Sequence, residues 1–203
     1  MTDIKPTRSE LIKLKQRIKL AKSGYNLLKK KRDGLILEFF EILKEAKTLR
    51  SELVDEYNNA LLTMNIARCL ETDLKIKSMA LAIKDSPEVE LEARNIMGVN
   101  APRVRSKPVQ KSLEERGYGI LDSSASIDAA AEAYEKVVEK AIRAAEVETA
   151  MKRLLAEIEK TKRRVNALEF EVIPKMEKVQ GFIKLRLEEM ERENVFRLKR
   201  IKG

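Results

Sequence analysis

The sequence predicts an all-α protein, a long antiparallel two-helix coiled coil with a short irregular or β-hairpin insert between the helices. Charged residues make up 37% of the 203 residues and aromatic residues only 4%, with no Trp, a composition typical of long helices rather than of a compact globule. Two long segments repeat apolar residues in alternating steps of three and four, which is the coiled-coil pattern. Proline and glycine are concentrated between these segments, where they indicate turns.

The first helix is predicted to begin at residues 6–10, where Thr7 can cap the helix and Glu10 follows three residues later. At 1.5 Å per residue, a helix from about residue 7 to 75 is roughly 100 Å long, and its seam needs a partner helix to cover it. Sixteen of its 19 predicted seam positions are apolar. These positions are Leu11, Leu14, Ile18, Ala21, Tyr25, Leu28, Arg32, Leu35, Phe39, Ile42, Ala46, Leu49, Leu53, Glu56, Ala60, Thr63, Ala67, Leu70 and Leu74.

The second helix is predicted from about residue 127 to 201. Pro174 lies inside it, and we expect this residue to remove one backbone hydrogen bond and to bend the helix. Thirteen of its 19 predicted seam positions are apolar, and further apolar residues, among them Leu154 and Leu168, widen the stripe on one flank. The seam positions are Tyr134, Val137, Ala141, Ala144, Glu148, Met151, Leu155, Ile158, Lys162, Val165, Glu169, Val172, Met176, Val179, Ile183, Arg186, Met190, Glu193 and Arg197.

The chain organisation predicted from this pattern is a single elongated domain with three parts. Residues 1–75 form the N-terminal helix, 76–126 the insert and 127–203 the C-terminal helix. Within the insert, residues 95–104 combine Gly and Pro in a way that indicates a short hairpin or an irregular turn. Two long helices joined by one insert must run antiparallel if they pack together, so both chain termini are expected at one end.

The positive charge is concentrated at the two termini. Residues 1–32 hold eleven Lys and Arg against two acids, residues 196–203 hold four and no acid, and the rest of the chain is slightly acidic. The basic end can bind nucleic-acid phosphates, face acidic protein loops or serve only solubility; few aromatic residues are available there for base stacking. The candidate partner-binding residues are Lys13, Arg17, Lys19, Lys22, Arg197, Lys199, Arg200 and Lys202.

Residues suited to chemistry are scarce. The chain has no histidine, its single cysteine cannot form an intramolecular disulfide, and it has no glycine-rich phosphate loop. No apolar stretch is long enough for a transmembrane helix, and the N-terminus does not resemble a signal peptide. We therefore predict no catalytic, cofactor-binding or metal-binding residues, and no membrane insertion.

Three segments resemble the D subunit of V-type and archaeal A-type rotary ATPases. Residues 20–33 and 189–202 are similar to two hallmarks of that family, and residues 163–169, followed by Ile173 and Pro174, are similar to its signature. The signature positions are Arg163, Arg164, Val165, Asn166, Ala167, Leu168, Glu169 and Pro174.

This resemblance implies a non-catalytic central rotor shaft without a cofactor, peripheral to the membrane on its cytoplasmic side. Its partners would be the A and B subunits of the ring, the F subunit of the stalk and a funnel-shaped C or d subunit, with no nucleic acid. The shaft would couple ATP synthesis or hydrolysis in the catalytic hexamer to proton or sodium movement through the membrane ring. The alternatives are a cytoplasmic coiled-coil scaffold or tether and a nucleic-acid-binding helical hairpin; co-purification with a nucleotide-binding hexamer distinguishes the shaft from both.

Overall fold

A computed structural model of the protein describes residues 6–83, 87–106, 109–112, 116–118 and 123–203. Its elements are α1 (Arg8–Leu70), α2 (Asp73–Ala82), β1 (Val89–Ile96), β2 (Val99–Ser106), α3 (Ala125–Ala167), a π-helical turn (Leu168–Val172) and α4 (Ile173–Lys202). The predicted fold class, long helices around a β-hairpin insert, is confirmed. The chain divides into two compact units, which we call the terminal unit (residues 6–36 and 157–203) and the insert unit (residues 37–156).

A side-chain cap marks the start of α1, and a break in the helix marks its end. The backbone N–H of Glu10 donates to Thr7 Oγ1 at 3.3 Å, as the capping pattern predicts. The predicted continuation to about residue 75 is wrong, because α1 ends at Leu70 and Thr72 takes an extended N-cap conformation that starts α2. Leu70 and Leu74 are therefore exposed rather than part of the seam. The signal for this break is the Thr72-Asp73 pair, a combination that favours a helix N-terminus.

The predicted seam of α1 is confirmed at every position from Leu11 to Ala67, all of which are buried or half-buried. Its three polar members each have a partner. Arg32 donates to Asp33, Glu56 accepts from Lys140, and the Thr63 hydroxyl donates to the carbonyl of Ala60. Because their polar groups are satisfied, these residues occupy an apolar seam without the cost of a buried unpaired group.

Ion pairs show that the helices of the terminal unit run antiparallel. In the terminal unit Arg8 pairs with Glu191, Lys22 with Glu177 at 2.7 Å and Lys31 with Glu157 at 3.9 Å. As the residue number in α1 increases, the residue number of its ion-pair partner in α4 or α3 decreases. In the insert unit Lys140 of α3 lies between Glu52 and Glu56 of α1, at 3.4 and 3.2 Å.

The predicted seam of α3 is half wrong. One row of predicted positions is covered, namely Val137, Ala144, Met151, Ile158 and Val165, but the alternate row, Ala141, Glu148, Leu155, Lys162 and Glu169, is exposed. The covered alternate row is Lys140, Val147, Leu154, Thr161 and Leu168. The helix therefore takes its step of three where the prediction placed a step of four, and Leu154 is fully buried while its neighbour Leu155 is 44% exposed.

The π-helical turn shifts the seam of the second helix by one residue. Before the turn the covered positions end in Val165 and Leu168, and a further step of four would reach Val172, which is exposed. Ile173 is covered instead, and the pattern continues through Met176, Gln180, Ile183 and Leu187. The N–H of Ile173 bonds to the carbonyl of Leu168, five residues earlier, which is the spacing of a π-helix.

Pro174 lies in the first turn of α4, directly after this π-helical turn. A proline in a regular helix leaves one carbonyl without its donor and clashes with the preceding turn. The structure has a π-helical turn of one extra residue directly before Pro174. The predicted bend of the helix at Pro174 stays a prediction. The later predicted positions Arg186, Met190, Glu193 and Arg197 are exposed.

The insert contains a tight β-hairpin. Met97 and Gly98 both have positive φ, and the N–H of Gly98 donates to Asn95 Oδ1 at 2.8 Å, which closes the two-residue turn. Val99 and Ala101 of β2 are buried, and Arg153 of α3 donates to the carbonyl of Asn100 at 2.7 Å. The hairpin predicted within residues 95–104 is confirmed, and its strands extend beyond that range.

The seam of α3 can be tested by truncating two adjacent leucines. Leu154→Ala is expected to lower the free energy of unfolding by about 3 kcal/mol, because it leaves a cavity at a fully buried position. Leu155→Ala, the matched control, should cost less than about 1 kcal/mol because that side chain is largely outside the seam. Urea unfolding followed by circular dichroism measures both. A larger loss of unfolding free energy for Leu155→Ala than for Leu154→Ala would instead support the seam predicted from the sequence.

The register role of the π-helical turn predicts an unusual tolerance to deletion. Removing Phe170 together with Pro174→Ala should convert the turn into regular α-helix and keep the seam in register on both sides, so cooperative unfolding is retained. With Pro174 kept, the same deletion should cost about 3 kcal/mol, since a proline then interrupts a regular helix.

The matched control deletes Glu148, which is also exposed, in the Pro174→Ala background. This deletion turns residues 149–168 by about 100° relative to the rest of α3 and should abolish cooperative melting. Equal loss of stability for the deletions at Phe170 and Glu148 would show that the π-helical turn does not set the register.

Candidate partner-binding surfaces

All eight predicted partner-binding cations lie on the exposed surface of the terminal unit. Lys22 is partly neutralised by Glu177, Lys13 lies 3.4 Å from Glu10, and Arg197 lies 3.9 Å from Glu193. The others, Arg17, Lys19, Lys199, Arg200 and Lys202, form no ion pair with any residue that the structure describes. Most of the predicted basic surface is therefore available to a partner.

The two groups of cations lie at successive levels of the antiparallel pair rather than at one point. Arg8 pairs with Glu191, so α4 continues for about 16 Å beyond that level to Lys202. The cations of α1 lie on the opposite side of the Arg8–Glu191 level along the helix axis, between that level and the level where Lys22 meets Glu177. Together they form a strip about 38 Å long, which we call the basic strip.

Large apolar side chains are interspersed along the basic strip. Leu20, Phe196, Leu198 and Ile201 are all exposed, the last at 80%. Exposed apolar groups next to cations are typical of a protein-binding surface, whereas phosphate binding needs charge alone. The prediction from sequence considered only the charges; the apolar residues outside the seam carried the additional signal.

The family signature surrounds the π-helical turn. Val165 is buried and Leu168 half-buried, whereas Arg163, Arg164, Asn166, Ala167 and Glu169 are exposed. Asn166 and Ala167 therefore lie outside the seam, where Val165 and Leu168 occupy the inward positions. Phe170, within the turn, is 74% exposed.

A second apolar surface lies at the C-terminal end of α1 and on α2. Leu62, Ile66 and Leu70 share one face of α1, and Leu74 and Leu81 share one face of α2; all five are exposed, from 56% to 84%. We call this surface the apolar stripe. The small core of Ala67, Met79, Tyr118, Ile127 and Ala130 is packed by Met64 and Ile76 and does not include these five residues. Their exposure therefore marks an interaction surface.

A buried polar network holds residues 116–118 against α3 in the insert unit. Arg116 donates to both carboxylate oxygens of Glu135 at 3.1 Å and to the carbonyl of Asp128 at 3.3 Å. Burial alone would lower the pKa of Arg116, but its interactions with Glu135 and Tyr118 together outweigh burial, and the net pKa is raised. Tyr118 donates to Asp128 at 2.7 Å, and burial together with this bond raises its pKa. These side chains satisfy each other's hydrogen-bonding groups, which suits a structural role in the insert unit.

Two features are absent from the described part of the chain, namely metal-ligand clusters and helices that could span a membrane. Within it, no group of three His, Cys, Asp or Glu side chains is placed to hold a metal ion. None of the described helices has an apolar stretch that could cross a bilayer. The surfaces that stand out among the described residues are the basic strip and the apolar stripe, both suited to binding proteins.

Comparison with known proteins identifies the family. The family model for the D subunit of ATP synthase matches residues 10–203. The D subunit of the A-type ATP synthase of Methanococcoides burtonii is 59% identical over 98% of this chain and 97% of its own length. The proteins of the same name from Methanoregula boonei and Methanosarcina mazei are 55% and 57% identical, over 100% and 99% of this chain and 97% and 96% of their own lengths. The chain therefore belongs to the family of ATP synthase D subunits.

Proposed function

We propose that this chain is the central rotor shaft of a V/A-type rotary ATPase. It couples ATP synthesis or hydrolysis in the catalytic hexamer to proton or sodium movement through the membrane ring. The shaft itself is not catalytic, and it works as a peripheral component on the cytoplasmic side of the membrane. The observation that supports this most is the antiparallel helix pair of the terminal unit, with a covered seam inside and the basic strip outside.

A shaft must transmit torque along paired helices without slipping. The seam supplies the required stiffness, because interlocking side chains along both helices resist sliding and twisting. In the terminal unit it includes the buried residues Ile18, Leu35, Val165 and Ile183. A scaffold or tether does not require the exposed cations and apolar groups of the basic strip.

We assign the basic strip to the ring of A and B subunits. Exposed ion pairs contribute only about 0–1 kcal/mol each, so a strip of long, hydrated cations can hold a turning shaft without trapping it at one angle. Rotation also requires contacts whose strength differs between states of the ring, and the exposed apolar residues Leu20, Phe196 and Ile201 can supply these.

We assign the apolar stripe to the funnel-shaped C or d subunit. Exposed leucines on two short helical faces suit a partner with a concave apolar surface, since burying them removes apolar area from water. The F subunit of the stalk is also a partner in this proposal, bound along the helices. Nucleic acid is not, because the apolar side chains of the basic strip favour a protein.

The two assignments predict opposite defects in two variants. Reversing Arg17, Lys19, Lys199 and Arg200 to Glu should weaken binding to a reconstituted ring of A and B subunits at least about tenfold, because attraction becomes repulsion, while binding to the funnel-shaped subunit is kept. Replacing Leu70, Leu74 and Leu81 by Ser should abolish binding to the funnel-shaped subunit and leave ring binding intact. The affinity of each variant is measured for both the ring and the funnel-shaped subunit. For each variant, the partner that it should still bind serves as the control.

Several outcomes would contradict the proposal. Failure of the wild-type chain to bind the ring would favour the scaffold or tether. Salt-sensitive binding to DNA or RNA, lost in the charge-reversed variant, would favour the nucleic-acid-binding hairpin. Measurable ATP hydrolysis by the pure isolated chain, abolished by a point substitution in it, would show that the chain is catalytic.

A further inference from the structure

A groove lies between the β-hairpin and the long helices of the insert unit. Its volume is about 440 Å³, within the range of about 300–1,000 Å³ that is usual for sites of small molecules. One wall is the inward face of the hairpin, and the other walls belong to α1 and α3. All of the lining residues lie in the insert unit. We call this space the hairpin groove.

The register of the hairpin explains why this space exists. Directly paired residues of an antiparallel sheet share a face, so the inward face carries the pair Ile96 and Val99 and the pair Arg94 and Ala101. Near the turn this face is apolar, and Val99 and Ala101 are buried. Farther from the turn it carries the exposed side chains of Arg94 and Arg103. Because guanidinium groups resist burial, this end of the hairpin cannot pack closely on the helices.

The floor of the hairpin groove is apolar. Ile42 and Leu49 of α1 contribute to it, together with Val147 and Ala150 of α3. All four residues are buried or half-buried, and their spacings of seven and three place each pair on one face of its helix. The floor therefore offers an aliphatic surface without hydrogen-bonding side chains.

The rim of the hairpin groove is charged. It carries the cations Arg94, Arg103 and Arg143 and the carboxylates Glu45 and Glu146. None of these five side chains forms an ion pair with another residue in the described part of the chain. Three cations against two carboxylates leave an excess of one positive charge around the groove.

A neighbouring arginine of the hairpin is already paired. Glu92 lies directly opposite Arg103 in the sheet, but its carboxylate accepts from Arg105 at 3.1 Å. The carboxylate nearest to Arg103 in the register is thus engaged elsewhere, and the guanidinium of Arg103 can bind another acceptor. Arg105 does not line the groove, which makes it a matched control on the same strand.

These features define the chemistry of a ligand. Guanidinium groups bind carboxylates through two parallel hydrogen bonds. The excess of one positive charge suits a ligand with one negative charge, because the two rim carboxylates would repel a polyanion. The apolar floor suits an aliphatic body, since contact with it removes apolar surface from water.

We propose that the hairpin groove binds a small aliphatic carboxylate. The aliphatic chain lies on the floor between α1 and α3, and the carboxylate accepts hydrogen bonds from Arg94 and Arg103. Because the arginines belong to the hairpin and the floor belongs to the helices, the ligand links the two. The site lies in the insert unit and does not depend on the proposed rotor function.

Titration calorimetry of the full chain tests the class of ligand. Octanoate, which combines both features, is expected to bind saturably at one site. Acetate lacks the aliphatic body, and octanamide has the same shape without the charge. Each should bind at least about tenfold more weakly than octanoate. Absence of saturable octanoate binding, or equal affinity for octanamide, would overturn the proposal.

Two variants test the assigned arginines. Arg94→Gln combined with Arg103→Gln should weaken octanoate binding at least about tenfold, because hydrogen bonds to a charged group are lost. The control, Arg105→Gln, should bind octanoate like wild type. All three side chains are exposed, so both variants should keep the circular dichroism spectrum of the wild type. Equal octanoate affinities of the two variants would overturn the assignment.

Hydrogen exchange locates the site in the wild-type chain without any substitution. Octanoate should slow amide exchange in residues 89–104 and 143–150, which contain the hairpin and the α3 wall of the groove. Exchange in residues 62–81, which carry the apolar stripe, should not change. Protection confined to residues 62–81 would show that octanoate binds only to exposed leucines, and it would overturn the proposal.

Discussion

The structure depends on the burial of one apolar row between antiparallel helices. Each helix on its own would expose that row along its whole length, and helices in proteins gain most of their stability from such packing rather than from propensity. The seam fixes which side chains point outward, because every residue that the seam does not use must face solvent or a partner. The positions of the basic strip and the apolar stripe both follow from it.

The π-helical turn keeps this row continuous in the second helix. If residues 168–172 formed a regular α-helix, the step after Leu168 would bring Val172 and not Ile173 to the seam, and the terminal part of α4 would turn its apolar face away from α1. Pro174 lies where the backbone pattern has already been disturbed, so its missing N–H costs less than in a regular helix. The most distinctive part of the sequence, residues 163–174, thus coincides with the main irregularity of the long helices.

The sequence carries enough information to predict the pairing of the helices but not all of its details. The seam of α1 was predictable from Leu11 to Ala67 because apolar residues repeat there without a slip. In α3 the inward positions include Lys140 and Thr161, while the apolar Ala141 and Leu155 face outward, so apolar character alone selected the wrong alternate row. Apart from Pro174, no residue in the sequence indicated the one-residue shift of the seam at residues 168–172. The β-hairpin was indicated by its turn residues.

The candidate surfaces were predictable to the extent that they depend on charge. Counting Lys and Arg located the basic strip, and antiparallel pairing brought its two parts into one unit. The apolar stripe was hidden, because the repeat that identifies the seam also assigned Leu70 and Leu74 to it; only the break at Thr72 shows that these leucines are free.

Rotation of this chain within the catalytic ring tests the central claim most directly. Cys69 is the single cysteine of the chain and is exposed, so a bead can be attached there without further substitution. With the ring subunits fixed to a surface and ATP supplied, the account predicts rotation of the bead in one direction and in discrete steps. A bead that stays still, or only fluctuates, while the same complexes hydrolyse ATP would contradict the assignment of this chain as the rotor shaft.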